Sequence, residues 1–291
     1  MTTETILTVV LPLALSFIMF GFGLTLTLSD FKMMLERPRT VLIGLFCQMI
    51  LLPLLAYGIC KAFGLTGETA IGVMILSASP GGVSANIFSH LAHGDIALNL
   101  TLTAVNSLLA AFFLPFMVNV AFYLFAEEGN VIGLQFAKTI QVVLVVVIPV
   151  ALGMYLKIKR PSLTKTFDKP VRVFSVGLLV VIVVGTIIKE RAILGDSFAH
   201  LGFAMLLFNV GSMALGYFVG KMAKLKIGEI TAITMEVGVH NSTLALMIAV
   251  GLLGSFTIAI PAAVYSVIMY LTAGLFCYIL ALKHKAKKLE K

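Results

Sequence analysis

The sequence predicts an all-α integral membrane protein with nine transmembrane helices. Three observations lead to this fold class: 60% of the 291 residues are hydrophobic, only 12% are charged, and the apolar residues form long uncharged runs. Soluble domains carry about 25% charged residues, because their surfaces face water. A mean hydropathy of +1.08 agrees with a chain surrounded by lipid. No soluble domain or low-complexity linker is expected, so residues 1–291 are interpreted as a single transmembrane domain.

The spans follow from runs of about 20 apolar residues, the length that crosses the hydrocarbon core as a helix. The predicted spans cover residues 5–29, 40–63, 69–91, 96–126, 134–156, 171–188, 197–220, 229–252 and 257–282. The first run is preceded by no basic segment and followed by no small-residue cleavage site, so it is interpreted as a span rather than a signal peptide. The three cysteines lie in apolar runs without a C-x-x-C spacing, and neither disulfides nor a metal framework is predicted.

Basic residues are concentrated in alternate loops, which predicts the orientation. The loops 31–39, 157–172 and 221–226 and the tail 283–291 hold three, six, three and five basic residues, together 17 of the 21 in the chain. Because basic loops stay on the cytoplasmic side, the N-terminus is expected outside and the tail inside, in the inner (plasma) membrane. The net charge of +8 is then a topology signal and does not indicate nucleic acid. The tail is expected to be solvated, with contact to anionic lipid as the alternative.

Two spans carry polar interruptions near their centres. The third contains Pro80-Gly81-Gly82, where proline removes a backbone hydrogen bond and glycine favours non-helical conformations. The eighth contains TMEVGVHNST, residues 234–243, with Gly238 as the predicted break. Packing kinks are the simpler explanation for either break alone. Taken together, the breaks occupy corresponding positions in two halves, about 1–126 and 134–282, of opposite orientation. The second half carries one extra helix, and this pattern is typical of transporter sites.

Glu236 is the acidic residue placed deepest within a span, and it predicts an ion or proton pathway. No Lys or Arg lies at a similar depth, so a bound cation is expected to supply the missing positive charge. Hard cations prefer oxygen ligands. Side-chain oxygens are available nearby in the predicted spans, from Gln48, Asn86, Asn99, Thr103, Asn106, Asn241 and Ser242. Three of them, Asn99, Thr103 and Asn106, share one face of a helix. Interhelical hydrogen bonds are the alternative for each, and particularly for Asn106, Asn119 and Asn209.

Other energy sources and chemistries find no support in the sequence. It contains no phosphate-binding G-x-x-x-x-G-K-[ST] motif and no H-E-x-x-H motif. An ion gradient is therefore the expected energy source, and neither enzymatic activity nor an organic cofactor is expected.

Three motifs resemble those of the bile acid:sodium symporter family: GFGLTLTLSDF at 21–31, SPGGVSANIFSHLAHGDIALNLTLT at 79–103 and EVGVHNSTLA at 236–245. The resemblance extends over nearly the whole chain. It implies a core domain of inverted repeats with two crossing broken helices, plus a panel domain. It also implies two sodium sites beside the crossing and an organic anion nearby.

The resemblance further implies ligands, carried over motif by motif. The first sodium site would use Asn86, Asn99, Thr103 and Glu236. The second would use Gln48, Glu236, His240 and the backbone carbonyls of Val237 and Val239. Asn241 would face the substrate, with the backbone of Gly82 and Val83 nearby.

Three positions depart from the family pattern. Ala85 stands where a serine hydroxyl is usual, and Asn99 replaces a serine while keeping an oxygen. His240 stands where a glutamine is usual, and imidazole is a poor sodium ligand with an ordinary pKa of about 6.5. The second site is thus open: His240 either ligates through its backbone or carries a proton in place of a second sodium ion.

The expected function is sodium-coupled symport of an organic anion by alternating access, with one or two sodium ions. The anion is expected to be a monocarboxylate or a bile-acid-like acid. Mixed sodium and proton coupling, export of the anion, and a non-transporting sensor are the alternatives. No oligomer is required.

Overall fold

A computed structural model of the chain describes residues 11–26, 34–126, 136–160 and 191–289, with residues 170, 173, 174 and 177 between them. The regular structure of these residues is helical. Its ten helices are α1 (Leu11–Thr25), α2 (Pro38–Ala62), α3 (Gly67–Ala78), α4 (Val83–Leu91), α5 (Ile96–Phe125), α6 (Phe136–Lys159), α7 (Arg191–Met222), α8 (Ile227–Gly238), α9 (Ser242–Leu252) and α10 (Phe256–Leu289). The sixth predicted span, 171–188, lies outside the described residues except at 173, 174 and 177.

Four segments are long and apolar enough to cross a membrane, judged by length and composition over the described residues. They are Pro38–Ala62, Ile96–Phe125, Ala199–Met222 and Phe256–Leu280. The last helix continues to Leu289, so most of the expected tail prolongs α10 rather than forming a separate segment. Lysine, alanine and leucine all have good helix propensity, and no glycine or proline follows Leu282 to end the helix.

Helices α2 to α5 and α7 to α10 form the main packed body. Helix α3 lies against α5 and α10, while α8 lies against α4, α5 and α7. Helix α1 packs along α6, where Gly23 and Gly153 allow the backbones to touch: an added Cβ at either glycine would overlap the other helix's backbone. Small residues at such contacts are typical of membrane helix packing, because they let backbones approach closely.

A widened turn interrupts the regular hydrogen bonding of α2 at Cys47–Leu51. Pro53, just after it, has no N–H for the carbonyl four residues earlier, which favours a locally wider turn. The turn contains Gln48, which is buried. The sequence pattern of α2 alone predicts an ordinary helix here.

The beginnings of α2, α5 and α8 meet at one end of the body. Arg37 Nη1 lies 2.7 Å from Asp95 Oδ2 and 3.7 Å from Glu229 Oε1. Arg39 donates to the carbonyl of Ala223 at 2.8 Å. The turns at 92–95 and 223–226 therefore lie beside the start of α2.

Candidate ion-binding site at the helix crossing

Two helix interruptions lie against each other at the centre of the body. Helix α3 ends at Ala78 and α4 begins at Val83, while α8 ends at Gly238 and α9 begins at Ser242. The intervening segments run antiparallel: Gly81 pairs with His240, and the N–H of Asn241 donates to the carbonyl of Pro80 at 2.8 Å. Backbone groups left free by the breaks are thereby partly satisfied by each other, as burial at membrane depth requires.

Gly238, which the sequence places at the break, is the last helical residue of α8, and residues 239–241 are not helical. Its carbonyl accepts hydrogen bonds from Asn209 Nδ2 at 2.8 Å and from the Tyr265 hydroxyl at 2.9 Å. Thr272 in turn donates to Asn209 Oδ1 at 2.5 Å. These side chains cap the end of α8 and fix where it stops. Sequence reasoning gave them no such role, and the only available signal was their polarity within apolar spans.

Glu236 is fully buried at this crossing, in the last turn of α8. Its Oε2 accepts from the Thr103 hydroxyl at 2.6 Å and from Asn99 Nδ2 at 3.5 Å, and its Oε1 accepts from Asn106 Nδ2 at 3.0 Å. Gly81 lies against the carboxylate so closely that an added Cβ would overlap it. None of the ion pairs in the described part of the chain involves Glu236.

Four amide oxygens near the crossing are buried and have no hydrogen-bond partner among the described residues. They belong to Gln48, Asn86, Asn99 and Asn106. The hydrogen-bond network fixes the orientation of three of these amides. Asn99 Nδ2 donates to the carbonyl of Ala232 at 2.9 Å, Gln48 Nε2 to that of Ser79 at 2.9 Å, and Asn106 Nδ2 to a carboxylate oxygen. Flipping any of them would set two oxygens against each other, so these oxygens remain unpaired acceptors.

The residues expected to form the first sodium site are brought together. Thr103 contacts Glu236, Asn99 contacts the same carboxylate oxygen, and Asn86 Nδ2 lies 3.4 Å from the Thr103 hydroxyl. Ala85 is buried and contributes no side-chain oxygen. The cluster therefore offers a carboxylate, a hydroxyl and amide oxygens, the donor set that a hard cation prefers.

The second predicted set is brought together only in part. The ring of His240 is buried and lies between two backbone carbonyls, with Nδ1 3.0 Å from Leu76 O and Nε2 2.7 Å from Val237 O. Helix α8 ends between Glu236 and His240, so the two residues do not lie on one helical face. Val239 is buried and extended. Gln48 uses its amide nitrogen on the end of α3, while its oxygen has no partner among the described residues.

The expected substrate residues lie at the starts of α4 and α9. Gly82 precedes α4 and has no side chain to cap it, and Val83 is 41% exposed. Asn241 Oδ1 accepts from the N–H of Leu244 at 3.1 Å, so this oxygen caps α9. The first turn of α4 thus keeps N–H groups that can donate hydrogen bonds to an anion.

The family model described as "Sodium Bile acid symporter family" matches residues 12–197. An uncharacterized sodium-dependent transporter of Bacillus subtilis, YocS, is 31% identical over 277 residues, which cover 94% of this chain and 84% of that protein. A probable chloroplastic sodium/metabolite cotransporter of rice, BASS1, is 30% identical over 87% of this chain and 61% of its own length. The rabbit ileal sodium/bile acid cotransporter is 27% identical over 82% of this chain and 68% of its own length.

Proposed function

Because this chain belongs to the sodium/bile acid symporter family, we propose that it imports an organic anion together with sodium by alternating access. It is a sodium-coupled, non-enzymatic carrier of that family and a multi-pass membrane protein. We also propose its ion site, the number of its ions, its class of substrate and its orientation.

One observation carries the ion site: a buried carboxylate without a basic partner in the described structure, bonded by Asn99 and Asn106, whose own amide oxygens are unpaired. A buried acceptor without a donor costs about 1–3 kcal/mol, and a buried charge without a partner costs more. A sodium ion relieves both costs at once, because it supplies positive charge and accepts oxygen lone pairs. The ligands of this ion are Asn86, Asn99, Thr103 and Glu236.

The proposal is one sodium ion at this site, with the second position altered by His240. The His240 ring already contacts the carbonyl of Val237, which a second ion would require. Mixed coupling, with a proton carried by His240, is the alternative. Measuring sodium and proton movement in the same liposomes distinguishes them: sodium-only coupling gives a sodium Hill coefficient near one and no proton movement with the substrate.

The substrate proposal is a monocarboxylate or a bile-acid-like acid bound beside the crossing by Gly82, Val83 and Asn241. Support comes from the uncapped first turn of α4, whose N–H groups favour a carboxylate without a buried arginine. The names of the relatives include both a bile acid and a metabolite carrier. A thermal-shift screen with sodium present, using a conjugated bile acid, pyruvate and lactate as probes, separates these sizes of substrate. A ligand at 100 times its Kd stabilises a protein by about 2.7 kcal/mol.

The architecture is proposed to be an inverted repeat of nine spans. The support is a side-chain hydrogen bond that occurs in both halves. Gln48 of α2 donates to the carbonyl of Ser79 after α3, and Asn209 of α7 donates to the carbonyl of Gly238 at the end of α8. In both cases an amide on one helix caps the interrupted end of the next helix along the chain. The two broken segments then correspond across the halves 1–126 and 134–282.

The orientation is proposed with the N-terminus outside and the C-terminus in the cytoplasm of the plasma membrane. Cysteine labelling with an impermeant maleimide tests it, because the three native cysteines are buried. Lys224→Cys should be labelled only from the cytoplasmic side and Glu68→Cys only from outside. Both positions are exposed at the surface. The reverse pattern contradicts this orientation.

The central experiment is uptake of labelled anion into proteoliposomes with and without an inward sodium gradient. Thr103→Val removes the hydroxyl that contacts Glu236, and Thr101→Val is its control on the same helix, since that buried hydroxyl only bonds the carbonyl of Ala97. Wild type and Thr101→Val should show sodium-driven uptake, and Thr103→Val should need about tenfold more sodium. Equal wild-type uptake with and without sodium rejects sodium coupling, and sodium-driven efflux alone favours an exporter.

A further inference from the structure

Asn106 is the third polar residue on the face of α5 that carries Asn99 and Thr103. It is 1% exposed. Its Nδ2 donates to Glu236 Oε1 at 3.0 Å, and its Oδ1 is buried without a hydrogen-bond partner among the described residues. The sequence placed this residue among the candidate oxygens, with an interhelical hydrogen bond as the alternative. The contact instead joins it to the carboxylate at the centre of the proposed ion site.

The two oxygens of Glu236 are held from different turns of α5. Oε2 accepts from Thr103 and Asn99, and Oε1 accepts from Asn106. The last torsion of a glutamate side chain is soft and has broad preferences, so a single donor does not fix the plane of the carboxylate. Asn106 is the side chain that restrains Oε1. Without it, no other side chain of the described residues donates to Oε1.

The Asn106 amide has only one acceptable orientation. Its nitrogen has to face the carboxylate, because an oxygen at 3.0 Å from Oε1 would place two acceptors against each other. Its Oδ1 is therefore directed elsewhere as a buried acceptor without a donor. Such an oxygen costs about 1–3 kcal/mol unless something accepts its lone pair. A cation beside Glu236 does so.

We infer that Asn106 determines the sodium affinity of this carrier, by fixing Oε1 of Glu236 through its amide nitrogen and offering its own oxygen to the ion. The inference rests on the proposed sodium-coupled function and adds a residue to the four of the ion site. It makes all three polar positions on this face of α5 part of cation binding. A purely structural interhelical bond makes a different prediction, which the following experiment measures.

The experiment compares Asn106→Leu and Asn106→Ser with the matched control Asn119→Leu. Asn119 is on the same helix, but its amide bonds the carbonyl of Pro115 at 2.9 Å. Two readouts are taken on the purified full chain: the rise in unfolding temperature with sodium against choline, and the sodium concentration for half-maximal uptake. Asn106→Leu should raise that concentration about tenfold or more, with the substrate KM at saturating sodium unchanged. Asn106→Ser should give a smaller increase, and the control should match the wild type.

Each outcome of this experiment either supports or overturns the inference. An unchanged half-maximal sodium concentration in Asn106→Leu overturns the inference, as does an unfolding temperature that falls while its sodium-dependent rise is kept. If Asn106→Leu does not fold, the smaller Asn106→Ser decides by the same criteria, and its sodium dependence must differ from that of the wild type. A wild type without any sodium response overturns the proposed function itself, which separates the two failures.

Discussion

Replacing Glu236 by glutamine should remove most of the sodium response while leaving the ion-free protein intact. The side chain keeps its shape and one oxygen for the Thr103 hydroxyl, which lies 2.6 Å from Oε2. The charge is lost, and the acceptor that faces Asn106 becomes an N–H2 donor, which Asn106 can meet with its amide oxygen after its amide flips. At an effective dielectric constant of about 20, two unit charges about 4 Å apart attract by about 4 kcal/mol. Each 1.4 kcal/mol is a factor of ten, so sodium affinity should fall about a thousandfold. Without sodium, the variant should be as stable as the wild type or more so, since a buried charge without a partner is gone.

The assay is thermal unfolding of the purified chain across a sodium titration, with sodium-driven uptake measured in parallel. Glu229→Gln is the matched control, because it makes the same change in the first turn of the same helix, where Glu229 accepts from the N–H of Lys226. The control should bind sodium like the wild type. If Glu236→Gln keeps its sodium dependence within threefold of the wild type, the carboxylate is not the counter-charge of the ion. A large loss of ion-free stability would equally refute the reasoning.

Three further outcomes are expected. Gly81→Ala should raise the half-maximal sodium concentration about tenfold, because the new methyl overlaps the Glu236 carboxylate. Gly58→Ala is the control and should leave that concentration unchanged, since no atom lies within 4 Å of its added Cβ. Equal values for the two variants would contradict this packing. Asp95→Ala should cost at least about 1 kcal/mol of stability in thermal unfolding, because it removes both the N-terminal cap of α5 and the ion pair with Arg37, while the sodium dependence stays unchanged. Tyr265→Phe should cost about 1 kcal/mol by removing one of two donors to the last carbonyl of α8, and an unchanged unfolding temperature would show that the bond contributes nothing.

The positions of the breaks could be predicted from the sequence, because proline and glycine act locally on the backbone. Pro80 leads directly to the end of α3 at Ala78. The end of α8 was harder to predict, since its last carbonyl is capped by Asn209 of α7 and Tyr265 of α10. Local pattern identifies Gly238 as a flexible position, but only the tertiary contacts decide which residue ends the helix.

The candidate site was predictable in its chemistry and less so in its connections. A carboxylate at membrane depth points to a cation on physical grounds alone, and the spacing of Asn99 and Thr103 puts both on one face. The direction of a side chain depends on the residues of other helices that face it, and a single sequence does not show which residues these are. The sequence therefore left two possibilities for Asn106, and it did not indicate that the ring of His240 lies between two backbone carbonyls.

The backbone pairing between the two breaks has a consequence for biogenesis. The carbonyl of Pro80 finds its donor in the N–H of Asn241, which is synthesised long after it. During insertion, the first four helices enter the membrane with a non-helical segment whose partner does not yet exist. We expect a chain truncated before α8 to keep most of the oxygens supplied by α2, α4 and α5 and yet to bind no sodium. The proposed ion site is completed only when α8, which carries Glu236, reaches the membrane.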